Sequence, residues 1–113
     1  MRILNRTEFL AMPSGTVYCK YTRMGIMDDL CVKYGSLSND WYYLELADFD
    51  DCDSSEEMFE RLDEMEKHSH LIYPKKCDTT ARDGLFDDDQ LFMVYSDHDV
   101  RNIIQKLIET ITT

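Results

Sequence analysis

Apolar and polar residues alternate with period two over three neighbouring stretches of this chain. In TVYCKYT, residues 16–22, Val17, Cys19 and Tyr21 share one face, and Thr16, Tyr18 and Lys20 share the other. LCVKYGSL, residues 30–37, puts Leu30, Val32 and Tyr34 together. WYYLELADF, residues 41–49, sets Tyr42, Leu44 and Leu46 against Trp41, Tyr43 and Glu45. Period two is the signature of a strand, and the short links RMGIMDD and SND make the three an antiparallel meander. QLFMVYS, residues 90–96, is apolar on both faces, as a central strand is. HLIY at 70–73 reads as a short edge strand stopped by Pro74.

Helical spacing occurs in three places. NRTEFLAM, residues 5–12, predicts a short helix capped by Asn5 or Thr7 and ended by Pro13. Ser54 with Glu57 is a capping-box pair, and Met58, Phe59, Leu62 and Met65 then form an apolar stripe expected to be buried, in a helix running to about His68. Ser96 or Asp97 starts a last helix to about Ile111, with Val100, Ile103, Ile104, Leu107, Ile108 and Ile111 on one side.

These elements predict an α+β fold of one domain over residues 1–113. Its two layers are an antiparallel sheet of four to five strands, led by the meander, and two amphipathic helices packed on it. On this reading the Val17, Leu44 and Leu46 side of the meander faces the helices. The Thr16, Tyr18, Lys20, Trp41, Tyr43 and Glu45 side faces away.

Charge sharpens the picture. Of the net charge of −11, residues 47–66 carry −9, from ten carboxylates against Arg61 alone. The first 46 residues are balanced, residues 67–86 are +2 and residues 87–113 are −4. Phosphate affinity needs a basic surface, so direct nucleic-acid binding is disfavoured, and attraction to a basic partner is favoured. An apolar fraction of 43% argues against disorder. No run approaches the ~18–20 apolar residues of a membrane span, and the start, MRILNRTEFLAMP, lacks the apolar core of a signal peptide. No membrane association is therefore expected. Cys19, Cys31, Cys52 and Cys77 contain no C-x-x-C pair, and in a reducing compartment they read as free thiols. A cytoplasmic protein is the expectation.

Candidate chemistry is sparse. Read as a calcium loop from Asp51, the acid run puts Glu56 where glycine belongs and Leu62 where the bidentate glutamate belongs; the register from Asp48 also fails. Asp87, Asp88 and Asp89 read as a charged turn before an apolar strand. His68, His70, Cys52 and Cys77 match no zinc spacing. No G-x-S-x-G, phosphate loop or dinucleotide fingerprint is present, so no catalytic residue, metal or cofactor is expected and an enzyme is the less favoured class.

Two surfaces stand out instead. Glu56, Glu60 and Glu64 repeat every four residues along the second helix and repel one another, offset only by Glu57–Arg61 and Asp63–Lys67. With Asp50, Asp51 and Asp53 they would attract a basic partner. Trp41 and Tyr43, on the far face of the meander, have the composition of a contact core. That face would be covered by a loop, the N-terminal helix or a dimer partner if it is not a binding site, so a homodimer is also an open expectation.

ILNRTEFLAMPSGTVYCKY, together with RDGLFDDDQLFMVY, resembles small proteins encoded by bacteriophages and prophages, over the two ends of the chain. The resemblance carries no catalytic motif. It implies an accessory protein in the host cytosol that binds and blocks a host protein, such as a nucleic-acid-binding defence component, by presenting DNA-like charge. The alternatives are a small-molecule or nucleotide-binding module that stacks its ligand on the aromatic sheet face and, least favoured, a metal-dependent enzyme.

Overall fold

A computed structural model of the chain describes residues 1–47, 49, 52 and 54–112. Its elements in order are β1 (Arg2–Leu4), α1 (Arg6–Leu10), β2 (Val17–Thr22), β3 (Ile26–Met27), β4 (Cys31–Leu37), β5 (Asp40–Glu45), α2 (Ser55–Lys67), β6 (Ala81–Arg82), β7 (Leu91–Tyr95) and α3 (Asp97–Glu109). All the helices begin on a side-chain cap. Asn5 and Ser96 form reciprocal capping boxes with Glu8 and Asp99, and the Ser54 hydroxyl accepts from the Glu57 N–H.

The fold is α+β, with one antiparallel sheet in the order β1-β7-β2-β4-β5-β6 and β3 paired to the C-terminal end of β2. The meander is present as β2-β4-β5, and β7 lies between β1 and β2. The sheet has more strands than expected because β1, β3 and β6 are two or three residues long, too short to show a period. Residues 70–73 form no strand. Ala81 and Arg82 instead pair with Tyr43 and Tyr42.

The core lies on the face expected to point away. Tyr18, Cys31, Trp41, Phe92, Val94 and Leu4 line it, and Phe9 of α1 closes it. Four rings interlock there. Phe9 stacks on Phe92 with centroids 4.0 Å apart and meets Tyr18 edge-on at 4.6 Å and Trp41 at 5.1 Å. Trp41 Nε1 donates to the Tyr18 hydroxyl at 2.9 Å. The opposite face carries Val17, Val32, Met93 and Tyr95, all half-buried, with Cys19 and Leu44 buried among them. The larger rings sit on the first face, and the five-residue α1 supplies their lid. An irregularity in β4 between Lys33 and Ser36 aligns Ser36 with Trp41.

Buried charges hold the lid and the edge strand. Arg6 of α1 is buried and donates to Asn39. Lys33 is buried and donates from Nζ to Met12 O at 2.8 Å and to Ser36 Oγ at 2.9 Å, while Ser36 Oγ donates to Leu10 O at 3.1 Å. Lys33 and Ser36 thereby satisfy carbonyls at and just beyond the end of α1 that the helix leaves open. Asp40 is buried and accepts from Arg82 Nε at 3.0 Å and from the Gly84 N–H at 3.1 Å, tying residues 82–84 to β5. Gly84 has φ +68°, a conformation that favours glycine.

Neither α2 nor α3 contributes a buried residue. The second layer is therefore thin, and both helices carry apolar side chains that the chain itself leaves in solvent.

Candidate functional site

On α2 the acidic row is where the sequence puts it. Glu56, Glu60 and Glu64 are exposed along one side. Arg61 pairs with Glu57 at 2.5 Å and Lys67 with Asp63 at 2.7 Å. Glu64 accepts from the Tyr73 hydroxyl at 3.0 Å, and the Arg61 guanidinium lies 5.2 Å from the Tyr73 ring. Among the described residues Glu56 and Glu60 have no basic partner, so their mutual repulsion is uncompensated. Asp50, Asp51 and Asp53, proposed as part of the same surface, lie outside the described residues.

Phe59 departs from its expected role. Met58, Leu62 and Met65 are half-buried, but Phe59 is 63% exposed. One turn to either side on the helix stand Glu56 and Asp63, and Glu66 follows a turn later. Phe59 falls on the outer edge of the stripe, toward the acidic side of the helix. The result is an aromatic ring bordered by carboxylates.

Trp41 cannot be a contact residue: it is fully buried beneath Phe9, and the Arg6 guanidinium lies 5.1 Å from its ring. Period two groups Trp41 with Tyr18 correctly but does not say that α1 covers them. Tyr43 is half-buried and packs beside the core cluster.

Tyr43 also lines a polar cavity of about 340 Å³, with Tyr18, Lys20, Met27, Asp28, Asp29, Cys31, Glu45 and Asp83. Lys20 Nζ sits 2.6 Å from Asp83 Oδ1 and 5.9 Å from the Trp41 ring. The lining carries Lys20 and four carboxylates, with Lys75 Nζ 3.5 Å from Glu45 O beside it, so the cavity suits an amine or guanidinium better than an anion. Burial raises the pKa of the Tyr18 phenol, keeping it neutral. Burial, reinforced by Glu45 and Asp29, pushes the Cys31 thiol up to about 12, so it is not a thiolate nucleophile near neutrality. A thiol-specific reagent at about pH 8 is accordingly expected to label exposed Cys77 rapidly, and Cys31 only on unfolding. Mass mapping of the labelled peptides reads this directly.

Lys20 and Glu45 stand together on one face in the sequence. Asp83 reaches them through a pairing between residues 40 positions apart, which no local pattern signals. Among the described residues no three His, Cys, Asp or Glu side chains converge on a point that could hold a metal ion. The His68 and His70 rings are 5.8 Å apart, and Cys77 is exposed, with its thiol 3.7 Å from Leu46 O. Among the described residues no helix is long and apolar enough to cross a membrane. No protein-family model matches the chain, and neither a curated protein nor a solved structure is significantly similar to it.

Proposed function

We propose that the protein acts by binding another protein rather than by catalysis, and that it docks a basic surface through the outer face of α2. The observation that carries this reading is Phe59, a large ring 63% exposed amid carboxylates on a helix that contributes no fully buried residue. An apolar anchor inside a charged rim is the anatomy of an interaction hot spot. Glu56, Glu60 and Glu64 supply long-range attraction, and Phe59 replaces Trp41 as the residue that anchors contact. The resemblance to phage accessory proteins makes a host protein with a phosphate-binding groove the expected partner, met in the host cytosol.

The triple variant Glu56→Lys/Glu60→Lys/Glu64→Lys is expected to lose partner binding by at least about 100-fold at low salt, because it replaces attraction with repulsion. Its folding stability should fall by no more than about 1–2 kcal/mol: all three side chains are exposed, and what is lost is the Tyr73–Glu64 hydrogen bond and the first-turn acid at Glu56. Phe59→Ser is expected to weaken binding about tenfold or more with the salt dependence unchanged, a hot-spot loss rather than a steering loss. Titration calorimetry over a salt series separates the two effects.

A second reading has its own observation, the cavity around Lys20, Glu45 and Asp83. It would make the protein a small-ligand module. A thermal-shift screen with primary amines and guanidinium compounds tests it, a concentration-dependent rise in Tm being the supporting result and a flat response the contrary one.

A further inference from the structure

We infer that the C-terminal half of α3 pairs with the same helix of a second copy of this chain, as a two-fold antiparallel seam. The inference is independent of the acidic face of α2. Val100 and Ile103, in the first half of α3, are half-buried, and the helix contacts β7. Beyond them the apolar stripe runs into solvent: Ile104 is 48% exposed, Leu107 61%, Ile108 43% and Ile111 80%. Val100, Ile104, Leu107 and Ile111 are spaced four, three and four residues apart, the seam pattern of a coiled coil.

Two arguments choose a second copy as the occupant. The first is geometric. A two-fold axis between Leu107 and Ile108 sets Ile104 opposite Ile111 of the partner and Leu107 opposite Ile108, so one stripe is its own complement. Running the helices antiparallel also opposes their dipoles favourably.

The second argument is charge. At 100° per residue Arg101, Gln105, Thr110 and Thr112 border the exposed stripe, and Asp97, in line with it at the start of the helix, lies beyond the overlap that this axis sets. In a chain of net charge −11 this face lets two copies meet without carboxylate against carboxylate. A basic partner finds no acid there, and an anionic membrane finds one flanking cation where surface-binding helices carry many.

Area sets how tightly the two copies hold. The four side chains expose on the order of 400 Å² of apolar surface, within the roughly 300–600 Å² of the largest patch on a typical monomer. Pairing two such stripes buries about 800 Å², below the ~1,200 Å² at which stable interfaces begin and in the range of weak, transient association. The expected result is a reversible dimer with a dissociation constant on the order of 1–100 µM.

Sedimentation equilibrium of the full chain from about 1 µM to about 500 µM tests this. The account predicts a mass rising from 13.4 kDa toward twice that value. Leu107→Glu should raise the dissociation constant at least about 100-fold and hold the mass at the monomer value. Ile111→Glu, in the turn after the helix where unfolding is not at issue, should do the same, with far-ultraviolet dichroism confirming that both variants fold. A monomer at every concentration overturns the inference. So does a dimer that survives both substitutions, which would place the interface elsewhere.

Discussion

Phe9→Ala is expected to be the most damaging single change in this chain, costing about 3–5 kcal/mol of folding stability. Phe9 is fully buried and touches Tyr18, Trp41 and Phe92 at once, so truncation removes the centre of the ring cluster and leaves a cavity between α1 and the sheet. The loss is compounded because α1 is five residues long and cannot persist as a helix without its tertiary anchor. Set against the roughly 5–15 kcal/mol that holds a domain of this size folded, the variant should be marginal. Phe9→Leu, which keeps most of the apolar volume, should cost about 1–2 kcal/mol. The readout is built in: Trp41 is the only tryptophan and sits against Phe9, so the shift of its emission to longer wavelength follows exposure of the core during urea unfolding.

Asp40→Ala is expected to follow, at about 2–4 kcal/mol, because it leaves the Gly84 N–H and the Arg82 guanidinium without their shared acceptor. Arg82 is about half exposed and can turn to water, which places the loss toward the lower end. The same residue gives an acid signature. Burial pushes the Asp40 carboxyl upward, but the N–H groups of Gly84 and Trp41 and the Arg82 guanidinium outweigh it, so its pKa falls below the ordinary 3.8. The folded state then holds fewer protons on this group than the unfolded state between the two pKa values. Stability contributed by Asp40 is thus present above about pH 4 and is lost as pH falls through the folded pKa. In urea titrations at a series of pH values, the parent protein should lose stability below pH 4 more steeply than Asp40→Asn. Parallel curves would contradict this role.

These two residues mark the division between what the sequence makes legible and what it does not. Asn5, Ser54 and Ser96 announce their helices because capping is local, a matter of three or four positions. The strands of the meander follow from period two for the same reason. Alternation groups Tyr18 with Lys20, and Trp41 with Tyr43, but which group is covered depends on a helix elsewhere in the chain. That is why the sequence alone leaves the ring cluster open between a binding face and a face covered by the N-terminal helix, a loop or a dimer partner. Lys33 and Asp40 look like surface residues by type. They are buried because their partners, Met12 and Gly84, arrive through contacts 21 and 44 residues away. β1 and β6 are likewise defined only by their pairing with β7 and β5.

The candidate surface on α2 was half legible. The acid row at Glu56, Glu60 and Glu64 follows from spacing, whereas the outward turn of Phe59 depends on how much of the stripe the rest of the chain can cover. Both helices beyond the core show the same imbalance, more apolar stripe than this chain buries. Each has its own charge setting, acidic around Phe59 and nearly neutral around Leu107.

The most direct test of the central claim is affinity capture from a bacterial lysate with the parent protein and the Glu56→Lys/Glu60→Lys/Glu64→Lys variant side by side, at low and at high salt. The account predicts a basic protein retained by the parent at low salt, released as salt rises, and absent from the variant. The same protein retained equally by both at low salt would show that the outer face of α2 is not the docking surface.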